Sequence, residues 1–251
     1  MDNRLASLPP WVFTASGQAF PVGNGVGTMR VALSQLNQRV GDLTGNIARI
    51  TADFERAEAA GADPVAFRLA HLDDPRAKAV IEAAAARFGW GRALPAGRGA
   101  GFAFARYKNL AAYCALAVEV EVARESGRVR LVRAQAAVDA GQVVNPHGIR
   151  DQIEGGIIQA TSWSLFEAVQ HDADGPTSLD WSTYPIVRFP DVPERLDVHL
   201  IDRPGSPFLG AGEVAQGPTA AALASAIRQA VGVRLRELPM RPELVKAAIG
   251  V

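Results

Sequence analysis

Residues 113–138 restrict the fold more than any other stretch of this chain. Val118, Val120 and Val122 alternate with Glu119 and Glu121, and Val129 and Leu131 alternate with Arg128 and Arg130. A period of two over this length suits a strand, because successive side chains leave opposite faces. Glu125-Ser126-Gly127 supplies a turn between the two runs. The pattern predicts an antiparallel hairpin with strands at 113–123 and 128–138, one face buried and one solvated. The acidic set faces the basic set across the pair, which modestly favours this register. Further strands are expected at 102–107 and 196–201.

Helices are expected around this hairpin. Asp63-Pro64 and Asp74-Pro75 each place an N-cap acid before a proline at the first helical position, where a missing N–H costs nothing. They predict a helix ending at His71, suited by charge to a helix C-terminus, and a second helix ending at Gly89. Helical spacing also appears at 51–60 and, interrupted by Gly41 and Gly45, at 29–50. The run from 150 to about 169 is helical in period despite Gly155-Gly156, and each glycine costs about 1 kcal/mol relative to alanine there. Such a cost calls for an offsetting reason, such as close approach of another backbone or of a bulky ligand. An alanine-rich helix is expected at 218–231, closed by Gly232.

Several function classes are disfavoured. The 26 basic and 26 acidic side chains balance, so nothing points to a nucleic-acid or polybasic membrane surface. Cys114 is the single cysteine, which excludes an intrachain disulfide, and its apolar setting suits a buried small side chain. No apolar run approaches the roughly 20 residues needed to cross a bilayer, and no signal-peptide pattern is visible, so a cytoplasmic protein is expected. His147 and His171 have no second ligand at metal-binding spacing, so no metal-ligating residues are assigned. The cluster Gly23-Asn24-Gly25-Val26-Gly27 fits neither common nucleotide-loop spacing and reads as a turn.

The loop at 205–213 delivers one carboxylate, Glu213, just before the alanine-rich helix. Gly210 and Gly212 allow a sharp bend and close approach of a ligand to the main chain. Two readings are open on these residues: a general base on a Gly-rich loop, or an acid complementing the positive end of the helix.

Five motifs occur in order: AGADPVAFRLAHLDDPR at 60–76, VDAGQVVNP at 138–146, QIEGGIIQA at 152–160, GAGE at 210–213 and ASAIRQAVGVRLRELP at 224–239. Together they resemble the C-terminal half of the molybdenum-cofactor subunit of the xanthine dehydrogenase/aldehyde oxidase family, in its isoquinoline 1-oxidoreductase, nicotinate dehydrogenase and aldehyde dehydrogenase branch. The resemblance implies an α+β molybdopterin-binding domain with mixed sheets and flanking helices over 55–251. Residues 1–54 form an atypical loop-rich, helical segment in which no family motif is legible. It implies that Glu213 is the base in a water-derived hydroxylation of an aldehyde or N-heteroaromatic substrate. Gln152, Gly155, Gly156, Ala211 and Gly212 would lie against molybdopterin, in its cytosine dinucleotide form. It also implies an iron–sulfur small subunit carrying [2Fe-2S] clusters and an FAD or cytochrome c electron acceptor subunit. Ala140-Gly141 stands where the family has Cys-Gly, and Val214 where it has Pro. The Met-Gly-Gln-Gly loop and Ser-Pro-Thr-Ala-Ala-Ser segment of the N-terminal half are absent, so a partial subunit is expected, completed by that half. The alternative is a non-catalytic relic or assembly module that binds no cofactor.

Overall fold

The computed structural model describes residues 63–251, together with Gly61 and two short strands, β1 (Trp11–Phe13) and β2 (Ala19–Pro21), paired antiparallel. The chain divides into two compact units, residues 1–67 and 68–251. The helices expected at 29–50 and 51–60, and the glycine cluster at 23–27, lie outside the described residues. Helix α1 (Pro64–His71) begins after Asp63, whose carboxylate accepts from the Val65 and Ala66 N–H groups at 3.0 and 2.8 Å.

The second unit is built on a four-stranded mixed sheet. Its strands are β3 (Arg98–Arg106), β4 (Tyr113–Ala123), β5 (Arg128–Asp139) and β8 (Arg195–Leu200), in that spatial order. β3, β4 and β5 run antiparallel, and β8 is parallel to β5. A two-residue ladder of β6 (His171–Asp172) and β7 (Gly175–Pro176) stands apart from it. The remaining helices are α2 (Pro75–Phe88), α3 (Pro146–Leu165), α4 (Gln216–Val231) and α5 (Pro242–Ile249).

The β4–β5 hairpin turns where the sequence predicts, and Glu121 stands opposite Arg130. Between Glu119 and Val120 the register shifts, so Val132 is an extra residue on β5. Such a bulge changes the phase of alternation. Val129 and Leu131 therefore share a face with Ala134, Ala136 and Val138, and all five pack in one core with Cys114, Leu116, Val118 and Val120. Ile153 and Ile157 of α3 and Leu223 and Ile227 of α4 close that core, all with essentially no exposure. Each such side chain contributes about 1.5–3 kcal/mol on burial. Burial also pushes the Cys114 thiol up to about 12, so it is inert.

The second face of the hairpin is not solvated as the alternation suggests. Helix α2 and the segment after it cover it. Tyr113 donates to Asp74 at 2.8 Å, and Arg133 stacks on Phe88 and donates to the Arg87 carbonyl at 3.0 Å. Glu119, 5% exposed, is held by Arg92 and by Arg98 at 3.0 Å. Arg98 also grips Glu121 through two nitrogens at 3.1 and 2.9 Å. The acids do bind arginines, but mainly Arg98 on β3 and Arg92 after α2; from β5 only Arg130 approaches, at 3.6 Å from Glu121.

Helix α2 starts as predicted: Asp74 accepts from Arg76 N–H at 2.8 Å, and Gly89 ends the helix at φ 71°. Helix α4 begins at Gln216, placing Pro218 third rather than first, where its N–H would still lack a helical partner. Close packing of α4 on β3 depends on glycine. A Cβ on Gly101 would sit 1.9 Å from the Ala222 carbonyl oxygen. Helix α5 has no counterpart in the sequence reading. It begins at Pro242 and buries Val245 in the main core.

Candidate cofactor-binding site

Two loops leave the sheet at the same end and make a cleft with the start of α3. The first follows β5 and runs through Asp139, Ala140 and Gly141 to Asn145. The second follows β8 and runs from 201 to 213. Leu209 N–H donates to the Ala140 carbonyl at 2.8 Å and Arg203 N–H to that of Gly141 at 3.1 Å. Gly141 has φ 75°, and a Cβ there would lie 2.0 Å from the Pro207 carbonyl oxygen, so this crossing requires glycine. Asn145 caps α3, accepting from Gly148 N–H at 3.0 Å.

Asp139 is the buried anchor of both loops. Its carboxylate, with no exposure, receives Arg76 through Nε at 3.0 Å and a second nitrogen at 2.5 Å, Arg203 at 2.5 Å, and the Gly141 N–H at 3.0 Å. Burial by itself pushes this carboxyl up. The two guanidinium bonds and the amide outweigh it and hold the group below the usual carboxylate range.

The cleft has a volume of about 340 Å³. Gln142, Asn145 and Gln152 supply carboxamides, while Ile149, Phe208 and Leu209 supply apolar surface. The side chain of Gln152 has no hydrogen-bonding partner among the described residues, leaving both its donor and its acceptor available. A Cβ on Gly212 would stand 3.6 Å from Gln152 Oε1, an ordinary contact distance.

Of the predicted site residues, the structure brings Gln152, Ala211 and Gly212 together in this cleft. Glu213 continues the same wall but is exposed and lies outside the cleft lining. Neither Gly210 nor Gly212 has a positive φ; in this loop that conformation falls to Gly205, at 80°. Gly155 and Gly156 do not line the cleft. A Cβ on Gly155 would meet nothing within 4 Å, and one on Gly156 would meet Ala215 Cβ at an ordinary 3.5 Å. Among the described residues, no neighbour therefore requires either to be glycine. Sequence reasoning missed Tyr107, whose hydroxyl donates to Glu213 Oε2. It missed Asp139 too, although an acid between Val138 and Ala140 at a strand end was a usable signal. Among the described residues, no group of three or more His, Cys, Asp or Glu side chains is arranged to hold a metal ion, and no helix is long and apolar enough to cross a membrane.

Residues 15–193 match the model of a family described as molybdopterin cofactor-binding domain. The chain belongs to this family, among the molybdenum subunits of the xanthine dehydrogenase/aldehyde oxidase group. It is 43% identical to a subunit of nicotinate dehydrogenase from Pseudomonas putida over 214 residues, covering 78% of this chain and 18% of that protein. It is 34% identical to the beta subunit of isoquinoline 1-oxidoreductase from Brevundimonas diminuta, covering 98% of this chain and 33% of that one. Among solved structures, quinoline 2-oxidoreductase of Pseudomonas putida 86 superposes with a TM-score of 0.52 at 28% identity, over 55% of this chain and 19% of that one. The chain thus spans a third or less of the length of these relatives. Both the family match and the isoquinoline relative extend into the first 50 residues, where no family motif is legible by eye.

Proposed function

We propose that this chain contributes one wall of a molybdopterin cradle and the catalytic base to a molybdenum hydroxylase. The observation that carries the reading is the meeting, in one cleft, of the free Gln152 amide with the 209–212 loop that leads to Glu213. Among the described residues, three carboxamides and no charged side chain line the cleft. That donor set fits the fused amide-rich heterocycle of a pterin, whose polar edge needs donors and acceptors together. Gln152 would pair with that edge, and Ala211 and Gly212 would let it lie against the main chain. The dinucleotide form of the cofactor, and a role for Gly155 and Gly156 beside it, belong to the same proposal.

When bound, the molybdenum centre supplies the two-electron oxidation. The protein groups handle position and protons. Glu213 accepts a proton as oxygen from water becomes nucleophilic, and its carboxylate can do so because one of its oxygens has no partner among the described residues. The names of the relatives suggest an electron-poor N-heterocycle or an aldehyde as substrate. The electrons would leave through an iron–sulfur subunit, since one cysteine cannot hold a cluster that takes about four protein ligands. A flavin or cytochrome c subunit would accept them, and the remainder of the large subunit would complete the pocket.

Isotope labelling tests the reaction class. The assembled enzyme, turning over nicotinate, isoquinoline or benzaldehyde in water enriched in oxygen-18, should place the label in the product. Label arriving from dioxygen instead would overturn the assignment.

A further inference from the structure

Glu213 does not stand alone on its loop. β3 ends in a tight turn at Tyr107–Asn109, in which Lys108 and Asn109 adopt φ of 50° and 59°. Side chains other than glycine rarely take this conformation, and it persists where surrounding contacts over-determine it. The contacts are present. The Tyr107 carbonyl accepts from Leu110 and Ala111 at 3.2 and 2.9 Å, and Tyr107 N–H donates to Ala112 at 3.0 Å. Two further bonds tie this turn to the loop carrying the proposed base. Ala112 N–H donates to the Gly210 carbonyl at 3.2 Å, and the Tyr107 hydroxyl donates to Glu213 Oε2. Lys108 Nζ lies 5.1 Å from the centre of the Tyr107 ring.

We propose that Tyr107 is a positioning residue for Glu213, its hydroxyl fixing one carboxylate oxygen so that the other is turned toward the reacting proton. A carboxylate on an exposed loop samples several rotamers, and each wrong one delays proton transfer. A donor fixed on the sheet by a strained turn restricts that sampling. The titratable groups beside the phenol are Glu213 and Lys108. The hydrogen bond to Glu213 raises the tyrosine above its ordinary range, burial and the charge of Glu213 add to this, and Lys108 opposes it. The first turn of α4, which follows the loop, carries no acid.

The inference rests on the reading of Glu213 as base, and two measurements separate their fates. Spectrophotometric titration of the full chain, wild type minus Tyr107→Phe, isolates one phenol. It should ionise above about 10, and Glu213→Gln should move its midpoint down. A midpoint that ignores Glu213→Gln overturns the pairing. In the assembled molybdenum enzyme, with nicotinate, isoquinoline or benzaldehyde as substrate, Tyr107→Phe should lower kcat about 10- to 100-fold and leave KM and molybdenum content unchanged. Unaltered kcat beside an inactive Glu213→Gln enzyme would overturn the positioning role alone. An active Glu213→Gln enzyme would overturn the base assignment itself.

Discussion

Asp139→Ala is expected to destabilise the chain by about 3–4 kcal/mol, towards the lower end of the 3–5 kcal/mol typical for breaking a buried ion pair. The substitution leaves Arg76 and Arg203 without their shared counter-charge and the Gly141 N–H without its acceptor. Both arginines are partly exposed, at 26% and 33%, and turn part of their charge to water, which moderates the loss. For a chain of this size the effect corresponds to a fall in Tm of roughly 6–16 °C, read by calorimetry. The same ion cluster makes stability depend on pH. The folded state holds the Asp139 carboxyl below its usual range. Its contribution is therefore complete above the unfolded value of about 4 and is lost as pH falls through the lower native value. The stability gap between wild type and Asp139→Asn should be constant near neutrality and close on acidification below about pH 4. A gap independent of pH down to pH 2 would remove the ionic explanation.

Glu213→Gln is the second large effect. Glutamine keeps the shape of glutamate and an oxygen able to accept from Tyr107, but it cannot take up a proton at neutral pH. A positioned base accelerates proton transfer by about 10²–10⁴-fold, so kcat of the assembled enzyme should fall by that order. Molybdenum content should stay unchanged, because Glu213 lies outside the cleft lining. Metal loss on this substitution would instead make Glu213 part of the cradle.

Local chemistry made much of the fold legible. The alternating valines gave the β4–β5 hairpin to within one residue, because a period-two pattern admits few other conformations. Asp74-Pro75 gave the start of α2, because a cap acts over three residues. The wet face assigned to that hairpin was wrong for a long-range reason: Glu119 is buried by Arg92 and Arg98, whose placement depends on how β3 and α2 pack. The bulge at Val132 had a signal that went unread: Leu131 and Val132 are adjacent apolar residues and Arg133 falls three residues after Arg130, which breaks the alternation of 128–131. The candidate site was legible as motifs, but its assembly was not. The bond from Tyr107 to Glu213 exists only once β3 and the loop before α4 reach the same end of the sheet.

The central claim is that this chain forms part of a molybdopterin cradle. Its most direct test is molybdenum and pterin analysis of the chain purified with the rest of its large subunit and an iron–sulfur partner from a molybdenum-replete host. Near-stoichiometric metal and pterin, largely lost on Gln152→Ala while the complex stays folded, is the predicted result. A folded complex that carries neither, with wild-type Gln152 in place, would contradict the claim and leave a domain that keeps the family fold without its cofactor.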